Sequence, residues 1–209
     1  MKKTLITLYL AFLCFGTSYT NEISPQLFGI KIYDNIKNYI NINTDKKSDS
    51  TFFLNTEKKP FNGLIKNSNL DAYQLSTNKQ KKILLITGVK NFSEVGNKNF
   101  ENKCENESSS FKILLSNNYN KNVSEFNKKY YKKSNEMGRD YLFFSSELNF
   151  HKGSKKLILQ IMCSYTNIDN YVHSTLYVSL IDESYWIQNS LKVWKRIKPF
   201  NNILVELNL

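Results

Sequence analysis

Between Leu142 and Ile181 the chain alternates apolar and polar side chains at every second position, and a segment patterned this way buries its apolar side only as part of a sheet. Leu142, Phe144, Ser146, Leu148 and Phe150 fall on one side of a first strand, and Leu157, Leu159, Ile161, Cys163 and Tyr165 on one side of a second. His151-Lys152-Gly153-Ser154 joins them as a turn. A third strand, 172–181, puts Val172, Leu176, Val178 and Leu180 on its apolar side and His173, Thr175, Tyr177 and Ser179 on the other. Strands in succession with short turns pair antiparallel, so a three-stranded meander is the nucleus of the fold.

Two more strands, 71–77 and 82–88, read as a hairpin across Asn78-Lys79-Gln80. The second ends in Gly88, but no Gly-rich phosphate loop follows, and a glycine closing a strand is the reading taken. Phe100, Cys104, Phe111, Leu114 and Leu115 recur at helical spacing and predict a long amphipathic helix over 97–119 with Cys104 facing inward. The stretch 123–133 reads as a second helix. Asp182 reads as the N-cap of a closing helix that carries Trp186, Val193 or Trp194, and Ile197, and stops before Pro199. Residues 43–59, rich in Asn, Asp, Ser, Thr and Lys, read as a mobile exposed connection. The expected class is α+β in two layers: an antiparallel sheet of about five strands with the helices on one face.

The start of the chain carries Lys2 and Lys3, an apolar stretch from Thr4 to Phe15, and then small or hydroxylated residues, the three-part order of a secretory signal. The apolar stretch is about a dozen residues, short of the ~20 that span a bilayer as a helix. Cleavage is expected before Tyr19 or Asn21. Cys14 follows Phe12 and Leu13, where lipid attachment wants small residues. The expected organisation is a signal peptide over 1–20 and one domain over 21–209, located in the periplasm or outside the cell.

Downstream, Leu27-Phe28-Gly29-Ile30-Lys31-Ile32-Tyr33-Asp34 reads as an extended piece, with Asp34 capping a helix over 35–42. This opening resembles that of small exported bacterial proteins in which a Phe-Gly-Ile strand runs into a capped helix. More loosely it resembles the outer-membrane assembly lipoproteins of the small-protein-A type. The likeness covers about fifteen residues, lacks that group's lipid-attachment cysteine and Gly-Met-Thr-like turn, and brings no functional residue with it. It implies an envelope setting.

The formal charge is +11, and it stays strongly positive without Lys2 and Lys3. Nearly all of it is lysine, Arg139 and Arg196 being the only arginines. Readers of nucleic acid rely on bidentate arginine, so the composition speaks against nucleic acid and leaves an anionic envelope partner. Lys128-Lys129-Tyr130-Tyr131-Lys132-Lys133 is the segment expected to meet such a partner, and Gln160, Ser164, His173 and Tyr177 are expected to form an open polar sheet face. Cys104 and Cys163 remain after signal removal, each on an apolar side, and are expected to bond in an oxidising compartment. With only His151 and His173 as histidines, no metal site or cofactor is expected. Glu147 and His173, with His151 and Arg139, make the best catalytic set available, but nothing in their spacing requires contact, and a strand histidine on a polar face is ordinarily just solvated. The functional expectation is a non-catalytic exported interaction module. A small-ligand binder is the second reading, and a small secreted hydrolase or nuclease the third.

Overall fold

The structure is a computed structural model. It describes residues 25–40, 46–48, 51–55, 64–65, 67–93, 100–134, 140–168, 171–189 and 195–197. Residues 1–20, where a signal peptide is expected, and Arg139, Val193, Trp194 and Pro199 lie outside the described residues.

The strands are β1 (Gln26–Leu27), β2 (Ile30–Lys31), β3 (Lys46–Ser48), β4 (Thr51–Asn55), β5 (Ala72–Thr77), β6 (Ile83–Ser93), β7 (Asn127–Ser134), β8 (Asp140–Lys152), β9 (Lys155–Ile168), β10 (Tyr171–Asp182) and β11 (Lys195–Ile197). Two helices, α1 (Phe100–Tyr119) and α2 (Glu183–Asn189), join them. β1 and β2 form a small ribbon, and the rest form one antiparallel sheet in the order β11-β7-β8-β9-β10-β6-β5-β4-β3. Two meanders, β3 to β6 and β7 to β10, thus lie side by side with β6 against β10. The chain passes from one to the other through α1.

The meander expected from alternation is present in register. Leu142 pairs with Tyr165, Phe144 with Cys163, Leu148 with Leu159 and Phe150 with Leu157, and Leu176, Val178 and Leu180 continue the rows on β10. All of these point to the side that α1 covers, which we call the closed face. Phe111 and Leu115 of α1 are buried there, whereas Leu114, although on the expected stripe, is exposed. Cys104, fully buried on α1, is disulfide-bonded to Cys163 of β9, with Cα atoms 6.1 Å apart. The N-terminal ribbon covers the other half of this face. Gly88 does not end its strand but lies inside β6, beneath that ribbon. A Cβ there would sit 2.5 Å from Leu70 Cδ1 and 2.8 Å from Phe28 Cε2, so the close approach requires glycine.

Several expectations are corrected. The sheet has nine strands rather than about five, the three-residue β11 and β3 flanking seven longer ones. Part of the 43–59 connection is paired strand, because Phe52 of β4 finds a buried place opposite Leu75. The 123–133 helix is a single 3-10 turn, Val123–Glu125, followed by β7, since the free edge of β8 supplies eight backbone partners that a helix would forgo. The 35–42 helix is likewise a 3-10 turn, Ile36–Asn38, with Asn35 rather than Asp34 as its cap. Asp34 accepts instead from the Tyr39 hydroxyl at 2.8 Å and the Asn38 side chain at 3.1 Å. The closing helix stops at Asn189, and Lys195–Ile197 pairs with β7 as a strand. Nor do the helices share a face. α2 packs against the side opposite α1, because Phe143, Ile158, Met162 and Ile181, at positions that alternation assigns to solvent, are apolar and need a cover, which Trp186 provides.

Candidate functional site

The face opposite α1, here the open face, is only partly covered. On it the register aligns Asn127, Glu147, Gln160, Ser179, Thr87 and Gln74 in one row across β7, β8, β9, β10, β6 and β5. Most of this row is buried and therefore has to satisfy itself. Gln160 Nε2 donates to Glu147 Oε1 at 2.9 Å, and the hydroxyls of Thr87 and Ser179 lie 2.9 Å apart. Glu147, 1% exposed, also accepts from the Tyr131 hydroxyl at 2.8 Å and Ser145 Oγ at 2.9 Å, and it pairs with the Lys129 ammonium. Every oxygen of this carboxylate is thus occupied by a neighbour on its own or an adjacent strand. Such an arrangement fixes register and holds the carboxylate in place.

Beyond that row the face opens into a cleft of about 510 Å³. Gln160, Ser164, His173 and Tyr177 all line it. Its apolar wall comes from Tyr141, Phe143, Met162 and, over the edge, Tyr185 and Trp186 of α2. Its polar wall includes Thr166, Thr175 and Ser179, with Lys133 also lining it. No carboxylate lines it among the described residues. Burial raises the Tyr177 hydroxyl above its ordinary pKa, against hydrogen bonding with Ser164 and Thr175 that works the other way, so it is a neutral hydrogen-bonding group at any physiological pH.

The same register separates the proposed catalytic set. His173 stands in the row of Thr166 and Tyr141, whereas Glu147 stands in the row of Gln160 and Ser179, six residues further along β10. At roughly 3.3 Å per residue that is about 20 Å, and β9 lies between their two strands. The pair cannot share a proton. His151 is exposed at the β8–β9 turn. Among the described residues no group of three or more metal-ligating side chains comes together.

The lysine-tyrosine segment does not present one patch either. As strand β7 it alternates: Lys128, Tyr130 and Lys132 share the closed-face side with Phe144 and Leu142, while Lys129, Tyr131 and Lys133 share the open face with Ser145 and Phe143. Tyr130 stacks edge-on to Phe144 at 5.4 Å, and Tyr131 edge-on to Trp186 at 6.2 Å. Sequence reasoning missed Trp186 and Tyr185 as cleft residues. The signal was there in Phe143, Ile158 and Met162, which mark the nominally polar side as a second packing surface.

Compared with known protein families, curated proteins and solved structures, the chain matches none. What the site can do therefore rests on its own geometry.

Proposed function

We propose that this protein is an exported, non-catalytic binding module and that the cleft on the open face holds its ligand, a hydroxyl-rich anionic component of the cell envelope such as an acidic polysaccharide. The carrying observation is the cleft lining: aromatic walls, amide and hydroxyl groups, Lys133, and no carboxylate among the described residues. Aromatic faces stack on sugar rings, the polar groups direct hydrogen bonds to hydroxyls, and a lining without negative charge does not repel an anion. The buried Cys104–Cys163 bond supports export, because disulfides persist in oxidising compartments. The distance between Glu147 and His173 supports binding over catalysis.

The test is a titration of the full chain with oligosaccharides of polygalacturonate, followed by calorimetry. A saturable change that Trp186→Ala abolishes and Lys133→Gln weakens is expected, and added salt should weaken it too. Binding that is unchanged in both variants would place the ligand elsewhere. The second reading, a small-ligand binder, is favoured by the volume, which falls within the usual range for small-molecule sites. It predicts that a monosaccharide-sized ligand saturates the cleft as well as the oligomer does.

A further inference from the structure

A second, smaller cavity lies on the other side of the sheet, where α1 meets β7. Glu105, Ser108, Ser109 and Lys112 follow one another at helical spacing on α1 and line one wall. Lys128 and Ser146, paired across β7 and β8, line the opposite wall, and Cys163 lies at its base. The volume is about 140 Å³. We propose that this cavity binds a single phosphate or sulfate group, held between the Lys112 and Lys128 ammonium groups with the Ser108 and Ser146 hydroxyls as further donors.

Three observations carry it. First, two cations converge from different elements, and neither Lys112 nor Lys128 makes an ion pair among the described residues, in contrast to Lys129, whose charge Glu147 takes up. Burial, and after it the charge of Lys128, pulls the Lys112 ammonium below its ordinary pKa, with Glu105 opposing. Two like charges held together this way repel each other until an anion comes between them. Second, hydroxyls surround them. Ser109 Oγ already donates to the Glu105 carbonyl at 2.9 Å, so it offers a lone pair rather than a proton, and Ser108 and Ser146 are the hydroxyls that remain to donate. Third, the disulfide fixes Cys104 of α1 to Cys163 of β9 beside the cavity, so its two walls keep their spacing without a ligand and little ordering cost attends binding. The Glu105 carboxylate, exposed on α1, limits the affinity and favours an ion with more than one negative charge.

The site is separate from the open-face cleft and does not depend on it. Calorimetric titration of inorganic phosphate into the oxidised full chain at low ionic strength tests it. Saturable binding is expected, weakened roughly tenfold by Lys112→Gln or by Lys128→Gln and left unchanged by Lys82→Gln at the turn before β6, in line with the strength of charge-assisted hydrogen bonds. Lys128 is exposed, so its replacement leaves the fold intact even if that of the half-buried Lys112 does not. Absence of saturable binding, or equal affinity in the Lys128→Gln variant, overturns the proposal. Sedimentation with phosphatidic acid vesicles, against phosphatidylcholine vesicles, then identifies the source: retention that free phosphate displaces assigns a lipid headgroup, and free-phosphate binding without retention assigns a soluble phosphate ester.

Discussion

The two faces of the sheet solve the same problem in opposite ways. The closed face is mainly apolar over its central strands, is covered by α1 and the N-terminal ribbon, and is cross-linked to its cover through Cys104 and Cys163. The open face mixes Glu147, Gln160, Ser179 and Thr87 with a small cluster under Trp186, and leaves a cleft beside it. A buried apolar face gains stability from area and tolerates volume-conserving swaps among its aliphatic residues. A buried polar row gains little net stability and is intolerant of any single loss, because each group depends on its neighbours. The closed face therefore carries the stability of the fold, while the open face carries its specificity.

Removing the cross-link strikes the closed face hardest. Cys104→Ser with Cys163→Ser opens a loop with a sequence separation of 59 and should lower stability by up to about 4 kcal/mol in the chain-entropy account, read as a fall in denaturant midpoint. A double variant as stable as the parent would mean that α1 needs no staple. On the open face, Glu147→Ala should cost about 3 kcal/mol, although it deletes a single side chain, since Lys129, Tyr131 and Gln160 lose a shared partner at once. If Glu147→Ala is harmless, the contrast drawn between the faces fails. The end of β10 ties the N-terminal segment to α2: Asp182 accepts from the Tyr33 hydroxyl at 2.7 Å and from the Tyr185 backbone N–H at 3.0 Å, as an N-cap. Burial pushes its pKa up, but hydrogen bonds from Ser184, Tyr33 and Tyr185 outweigh this and hold it below the ordinary aspartate value. The stabilisation it brings is thus fully present above about pH 4 and is lost as pH falls through the lower native value. Asp182→Ala should cost about 1 kcal/mol at neutral pH and flatten the acid limb of the stability profile below pH ~4. A parallel acid limb in parent and variant would deny Asp182 this role. The smallest effect is expected at His173, exposed in the cleft, where alanine should shift stability by less than about 0.5 kcal/mol and abolish no activity. Loss of a hydrolytic activity in that variant would reinstate the enzyme reading.

The two faces were also unequally legible in the chain. Leu157, Leu159, Ile161, Cys163 and Tyr165 repeat with period two because all five are shielded from water on that side of β9, so strands and facing followed directly from alternation. The inward placing of Cys104 and Cys163 brought them to one layer by the same reasoning. Where burial is two-sided the period blurs: Ile158 and Met162 interrupt the polar side of β9, and only the place of Trp186 explains them. β7 was misread for a further reason. Phe126 and Tyr130 happen to recur at helical spacing, and strand conformation there follows from the backbone partners of β8, which no local pattern announces. The edge strands β3 and β11, and β4 next to β3, are short, and their identity comes from their neighbours rather than from themselves. The cleft residues Gln160, Ser164, His173 and Tyr177 were recognisable as one polar side, but the aromatic wall opposite them depends on the path of α2.

The seam between the two meanders pairs β6 with β10, strands that the chain completes far apart in time. Synthesis finishes β6 at Ser93 and does not begin β10 until Tyr171, so the whole β3 to β6 ribbon exists for a period with its longest edge bare. A bare edge recruits any other extended chain nearby, including an identical one from the next ribosome. Newborn copies of this protein are thus most vulnerable to sticking to each other before the last fifth of the chain, which carries β10, has emerged.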